Sequence, residues 1–524
     1  MRMVHKLILG SGARVIALAA NLVIGMLLMP YVVHHLGDRI YGYWVLIGTI
    51  IGYYGILDLG ITGAIQYYVA KAMGEGDRET IDETISSALF VFSLIAGAIL
   101  VITISVAHFS PLFVEELGEV TIVRNVILIT GSAFALGFPG RIFLGIISAN
   151  LRFDLVSLTN TAGLLIRSSL IVLVLKMGTG ILGIALVTAL VDLLVNTAYF
   201  LIARRIHPDF ILSKSLVSLK RFKALFSYSI YRFITKIGDQ LRFYFHSIII
   251  ASFMTVSAIT HYTVASRLSM YLITLMIALF GLLSPAFSNL FGRRDDERIL
   301  GTFNITTKLS SATTSFCTGC LILYGRPFIK IWMGPDYLDA FVPLVILAIG
   351  ISFDVSQFPS VSYMYGVAKH KFLMYIALME GGLNVLLSIL FVGHYGITGV
   401  ALGAMLSMFI FKFIAQPIYV CKNLELDLGR YFLRTLMIPA GIVLLSLVLV
   451  WYPLSRCGFH YSLVVITLTI LIHLLISLPV FFCLGLKSNE KLQILNSIPD
   501  IGPIGKAKNL ILLKFKLESV GTNQ

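Results

Sequence analysis

Apolar residues run along this chain in long unbroken blocks separated by short polar stretches. A helix needs about 20 residues to cross a hydrocarbon core. Fourteen blocks reach that length, at about 10–33, 41–69, 84–107, 121–146, 155–176, 181–203, 224–251, 258–283, 299–323, 338–362, 372–393, 397–421, 433–452 and 460–485. Apolar positions within them are continuous rather than alternating, and an open sheet edge cannot face lipid, so spanning strands are excluded. The pattern predicts an all-α polytopic membrane protein. The first block continues through Leu22 to Val33 past Arg14, which is too long for a signal-peptide core. It reads as an uncleaved first span, although Ala17-Leu18-Ala19 mimics a cleavage site. Thr80-Ile81-Asp82-Glu83 reads as a capping box opening span 3.

The blocks repeat. Leu36-Gly37-Asp38 through Tyr43-Trp44 aligns with Met254-Thr255-Val256 through His261-Tyr262, a shift of 218. Gly74-x-x-Asp77-x-Glu79 aligns with Gly292-x-x-Asp295-x-Glu297 at 218, and Leu117-Gly118 with Met333-Gly334 at 216. Phe138-Pro139 matches Phe358-Pro359 at 220, and Gly180-Ile181-x-Gly183-x-Ala185-Leu186 matches Gly396-Ile397-x-Gly399-x-Ala401-Leu402 at 216. Six spans separate the matches, an even number, so the two copies share one orientation. Parallel six-span lobes around a central cavity are a transporter architecture. The expected organisation is a lobe over 1–205 (spans 1–6), a second over 206–422 (spans 7–12), an extra helix pair over 423–486 and a basic tail over 487–524.

Composition narrows the class. Charged residues make up 13% of the 524 positions and hydrophobic ones 58%. That is about half the charged share of a soluble domain, which excludes a water-soluble enzyme and a disordered chain. A net charge of +14 would otherwise raise the question of nucleic acid. Here the basic residues sit in short loops, and no nucleic-acid partner is expected. With the N-terminus inside, about 25 Lys and Arg fall on that side and about 6 on the other, a positive-inside signal that places both termini in the cytoplasm. Loops on the opposite face reach roughly 15 residues, too short for a folded domain. The six lysines of the tail fit topology and attraction to anionic membrane lipid. Cys317-Thr-Gly-Cys320 lies inside a predicted span without His or charged neighbours, so the thiols read as packing groups rather than redox or zinc ligands. No metal or cofactor is expected.

The informative charges are those kept inside spans, where each costs about 2.5–3.5 kcal/mol at the bilayer centre. The cations are Arg14, Arg167, Arg232, Lys236, Arg242, Arg267, Lys308 and Lys412; the acids are Asp58, Asp192, Asp239, Asp354 and Glu380. At 100° per residue, Tyr228, Arg232, Lys236, Asp239 and His246 fall on one stripe of span 7, with Arg242 at its edge. The stripe reads either as an inter-helix ion-pair network or as a surface facing substrate. The cationic surplus suits an anionic substrate, because arginine binds phosphate oxygens through paired, charge-assisted hydrogen bonds. Substrate contacts are therefore expected from Arg14, Arg167, Arg232, Lys236, Arg242, Arg267 and Lys308. Asp239 and Glu380 read as ion- or proton-coupling groups or as charge balance. Asp58 reads as a coupling group or as the residue fixing a kink beside Gly55 and Gly60.

Leu36-Gly37-Asp38-Arg39-Ile40-Tyr41-Gly42-Tyr43-Trp44-Val45-Leu46, then Asp58-Leu59-Gly60-Ile61 and Ala70-Lys71, resembles the N-terminal pattern of the polysaccharide-transporter flippases. These belong to the multidrug/oligosaccharidyl-lipid/polysaccharide exporter superfamily. The Gly-Ile-x-Gly-x-Ala-Leu turns before spans 6 and 12 are similar too. A departure is Gln66, where relatives often carry a basic residue. The resemblance implies a bacterial inner-membrane flippase for an undecaprenyl-pyrophosphate-linked oligosaccharide, serving O-antigen, capsule or exopolysaccharide assembly. Glycan polymerase and chain-length machinery are the implied protein partners. The alternatives are a drug or cation antiporter of the same superfamily, and a membrane glycan polymerase or glycosyltransferase. The latter would rest on Asp38 and Asp336, which sit in short loops.

Overall fold

The computed structural model describes residues 2–208, 210–369, 371–456 and 461–497, with side chains from residue 18 onward except at Tyr228, Tyr231, Arg232, Asn496 and Ser497. Cys457 and the tail lysines beyond residue 497 lie outside it. All regular structure among the described residues is helical, and eleven helices are long and apolar enough to cross a membrane. Predicted spans 7 and 9 are helical but more polar: Leu219–Phe243 followed by Phe245–Phe253, and Asp296–Trp332. Predicted spans 11 and 12 merge in Lys371–Asn423, whose 53 residues turn at Gly396 (φ 55°, ψ −137°). Large apolar side chains such as Leu94, Val101, Leu449 and Leu475 point outward. That is the surface expected where lipid replaces water.

Backbone conformations recur at the spacing of the sequence repeat. Gly180 (φ 58°) and Gly396 (φ 55°), 216 apart, both take the left-handed conformation that glycine adopts without a Cβ penalty. Gly76 (φ 72°) pairs in the same way with Arg294 (φ 55°), and Leu151 (φ 57°) with Ala368 (φ 59°). Phe138-Pro139 opens a 3-10 turn between two helices, and Phe358-Pro359 starts a helix directly after Gln357. The repeat is thus one of local structure as well as of residue type.

One predicted cap is corrected. The third predicted span begins at Arg78, and Asp77 is its cap, accepting hydrogen bonds from the Thr80 amide (2.9 Å) and hydroxyl (2.6 Å). Asp77 is extended (φ −89°, ψ 91°), so its carboxylate reaches the orphan amides of the first turn. Glu83 takes the Arg221 guanidinium instead (2.7 Å).

The chain divides into two compact units. One comprises Met1–Ala278, Trp332–Ile351 and Lys369–Phe411; the other comprises Leu279–Ile331, Ser352–Ala368 and Lys412–Gln524. In the first, Phe92, Phe138, Ile61, Ile65 and Ile146 form a core. Its helices Leu219–Phe243 and Lys371–Met408 cross at Gly238 and Gly381. A Cβ on Gly238 would lie 2.5 Å from the Ala377 carbonyl carbon, and one on Gly381 2.8 Å from the Gly238 oxygen. Only glycine permits that approach. In the second unit, Cys320 packs with Tyr324, Val443, Leu447, Ile466 and Phe481, a plain core position for the thiol.

Candidate functional site

The site is built from two broken helices of the first unit. Asp38–Tyr54 passes through a 3-10 turn at Gly55–Asp58 and two left-handed residues, Leu59 and Gly60, before resuming as Ile61–Glu75. Carbonyls at such a break, at membrane depth, gain further hydrogen bonds from side chains of a neighbouring helix. Gln240 Nε2 donates to the Gly52 carbonyl (2.9 Å) and Lys236 Nζ to the Gly55 carbonyl (2.6 Å). The buried Asp58 carboxylate accepts the Thr62 hydroxyl (2.7 Å) at the same break and lies in the field of Lys236 and Arg141. Arg141 stacks over Phe134 and Phe138, 5.1 and 4.6 Å from the ring centroids. Arg141 lies inside the predicted span 121–146, near its end, where the sequence pattern alone does not single it out.

The second broken helix ends at Phe243, and a new segment starts at Phe245. Asn384 braces the gap. Its Nδ2 donates to the Arg242 carbonyl (3.0 Å), while its Oδ1 accepts from Ser388 Oγ (3.1 Å) and bonds His246 Nε2 (3.2 Å). One helical turn before Asn384, Glu380 pairs with Arg242 at 2.7 Å between Oε1 and Nε. Both side chains are buried, with relative exposures of 0% and 5%. A buried ion pair contributes little net stability, yet removing one partner strands the other charge. Glu380 takes the Nε edge, and Arg242 is also one of the residues lining a cavity.

That cavity has a volume of about 370 Å³, in the range of small-ligand sites. Arg242 and Arg267 line it with Tyr41, Trp44, Tyr244 and Tyr262, and with the hydroxyls of Thr49, Ser247, Thr263, Ser266 and Ser269. Its lining carries no carboxylate. The lining thus combines two arginines, an aromatic wall and a row of hydroxyl-bearing side chains. In the second unit, an apolar groove of about 260 Å³ is lined by Leu309, Ala312, Phe316, Val443, Leu474, Leu478 and Phe481.

The other predicted site residues lie elsewhere. Arg167 pairs with Asp192 on the next helix. Lys308 is buried against Glu490, with Nζ at 2.8 and 2.7 Å from its two oxygens. Lys412 faces Asp354 at 3.3 Å. Asp239 is exposed. Arg14 and Arg232 lie on helices, but their side chains fall outside the described residues. The aromatic wall is legible in the sequence only through the repeat motifs that contain Tyr41, Trp44 and Tyr262.

Comparison with known proteins places the chain. Residues 75–343 match the model of the "Polysaccharide biosynthesis protein" family. The chain is 22% identical over 426 residues to the uncharacterized membrane protein EpsK of Bacillus subtilis, covering 80% of this chain and 83% of the relative. It is 22% identical over 409 residues to a putative O-antigen transporter of Shigella flexneri, covering 75% and 92%. Its fold is similar to that of the lipid II flippase MurJ in an inward closed conformation, with a TM-score of 0.71 at 19% identity over 90% of this chain and 98% of that one. The family match takes in more than half of the sequence and both cavity arginines, and the chain, a multi-pass membrane protein, belongs to the polysaccharide biosynthesis protein family.

Proposed function

We propose that the protein is a flippase that moves an undecaprenyl-pyrophosphate-linked oligosaccharide across the bacterial inner membrane by alternating access. The observation that carries this is the carboxylate-free cavity with Arg242 and Arg267 in its wall. The two arginines hold the diphosphate, and the aromatic and hydroxyl side chains cover the sugars. Fourteen crossings in two parallel lobes plus a final pair are supported by the paired left-handed residues and by the extra helices Ile438–Arg456 and Leu463–Leu484. The basic loops orient both termini to the cytoplasm. A drug or cation antiporter would place an acid in the cavity wall, where the described lining residues include none. The test is surface glycan output from Arg242→Ala and Arg267→Ala at matched protein levels. Each arginine's charge-assisted bonds are worth about 1.5–3 kcal/mol, so each variant is expected to lose about tenfold or more. Full output from both single variants and the double would overturn the assignment.

A further inference from the structure

The end of the first unit that carries Asp38 holds a histidine between two carboxylates. His261 Nδ1 stands 2.8 Å from Asp339 Oδ1, and its Nε2 stands 3.4 Å from Asp38 Oδ2. A neutral imidazole has one N–H and one lone pair. Whichever nitrogen holds the proton, the other turns its lone pair towards a carboxylate oxygen. The imidazolium, with an N–H on each side, satisfies both contacts.

The groups around the ring leave the offsetting charge to it. Tyr337 lies against the imidazole, 5.0 Å between ring centroids, and donates to Asp38 Oδ1. Asp336 shares the 3-10 segment Pro335–Ala340 with Asp339 and adds negative charge. Arg39, next to Asp38, is held by Glu116 and by Glu119 (2.8 Å). Glu115 accepts the Val256 amide at the start of the helix that carries His261. His34 and His35 each bond a carbonyl of their own helix, at Pro30 (2.6 Å) and Tyr31 (2.8 Å). Among the described residues, the cation in contact with both Asp38 and Asp339 is therefore His261.

The ring also joins the two halves of the sequence repeat. Asp38 opens the helix Asp38–Tyr54 of the first copy, whereas His261 lies on Val256–Phe280 and Asp339 on Pro335–Ala340 of the second. All belong to the first compact unit. An opening between the copies at this end parts Asp38 from His261. The His261 side chain is 18% exposed and that of Asp339 55%, so protons from the surrounding solution reach the pair.

We infer that His261 is a proton-binding switch at the end of the carrier that faces away from the cytoplasm. With both nitrogens protonated, the ring ties Asp38 to Asp339 and holds that end shut. Loss of one proton leaves a lone pair against a carboxylate and two acids facing each other across a neutral ring, and the end loosens. Imidazole changes charge between about pH 5 and 8. A proton bound in the closed form and released on opening makes acid favour the closed end and alkali the open one. This rests on the alternating-access proposal and adds to it a control that lies outside the arginine-lined cavity.

The test uses the purified full-length protein with spin labels at Leu117→Cys and Phe253→Cys, two exposed positions on opposite repeat copies near the Glu115–Val256 contact. The five native cysteines are replaced by alanine, in a background checked for glycan output. The distance between the labels is read at about pH 5.5 and about pH 8.5, either side of the range in which imidazole titrates. A longer-distance population is expected to grow about 3- to 10-fold from the lower to the higher pH. His261→Asn, which cannot take up the proton, is expected to show the longer population at both. His261→Lys, which keeps its charge throughout, is expected to hold the short distance at both, an effect that mere disruption of the fold does not produce. The double variant His34→Asn with His35→Asn is expected to respond as the wild type does. A wild-type distance indifferent to pH, or a full response in His261→Asn, would overturn the switch while leaving the flippase proposal standing. Absence of the longer population from every variant at both pH values would contradict alternating access, and the switch with it.

Discussion

Among single residues, Arg242 and Glu380 govern the site most directly. Their charges face each other at 2.7 Å in a place where neither is in reach of bulk water. Removal of a buried partner costs about 3–5 kcal/mol, whereas replacing both by well-packed apolar residues is often neutral. Glu380→Ala is therefore expected to destabilise the detergent-solubilised protein by about that amount, read as a large drop in melting temperature. Arg242→Met combined with Glu380→Leu is expected to recover most of the stability but not glycan export, because the cavity has lost a guanidinium. Recovery of both would make the pair a purely structural feature. Helical arithmetic placed Lys236 and Arg242 near one face of the same helix. It could not foresee that Lys236 would bond the Gly55 carbonyl, which lies at a break in another helix. Lys308 met Glu490, 182 residues away, for the same reason. Periodicity assigns a face, whereas the partner on that face is a property of the tertiary structure.

One helix break lies in the cavity wall, at Tyr244, and Asn384 holds the Arg242 carbonyl beside it. The break at Gly55–Gly60, with Lys236 and Gln240, lies outside the lining. The crossing at Gly238 and Gly381 sets how close Glu380 comes to Arg242. Gly238→Ala puts a methyl against the Ala377 backbone and is expected to cost about 1–3 kcal/mol by overpacking, with a matching loss of diphosphate binding as the pair is pulled apart. A variant of wild-type stability and affinity would show that the spacing has slack. The element scale was also the most legible in the sequence. The Gly-Ile-x-Gly-x-Ala-Leu copies fall at Gly180 and Gly396, both left-handed, and Asp58 does sit at a helix break beside Gly55 and Gly60. The polar helix Leu219–Phe243 was harder to delimit, since its charges lower its hydropathy where the site needs them.

At the scale of the molecule, alternating access requires that one end be closed while the other is open. A polar network ties together segments from both halves of the sequence repeat at the end that carries Asp38. Tyr337 donates to the Asp38 carboxylate, and Thr260 Oγ1 donates to the Asp38 carbonyl (2.6 Å). His261 lies between Asp339 (2.8 Å) and Asp38 (3.4 Å), and Glu115 accepts the Val256 amide (2.7 Å). In the orientation proposed above, with both termini in the cytoplasm, that end faces away from the cytoplasm, and its closure fits the proposed loading from the cytoplasmic leaflet. Charge and composition could indicate orientation, but a latch of Asp38, His261, Tyr337 and Asp339 joins residues some 300 positions apart and is legible only in the fold. The most direct measurement is leaflet-resolved detection of the lipid-linked oligosaccharide in cells depleted of the protein and supplied with either the wild type or Arg242→Ala. Accumulation of complete lipid-linked units in the cytoplasmic leaflet on depletion, relieved by the wild type and not by the variant, is the result expected. Normal delivery of those units to the outer leaflet in depleted cells would contradict a flippase.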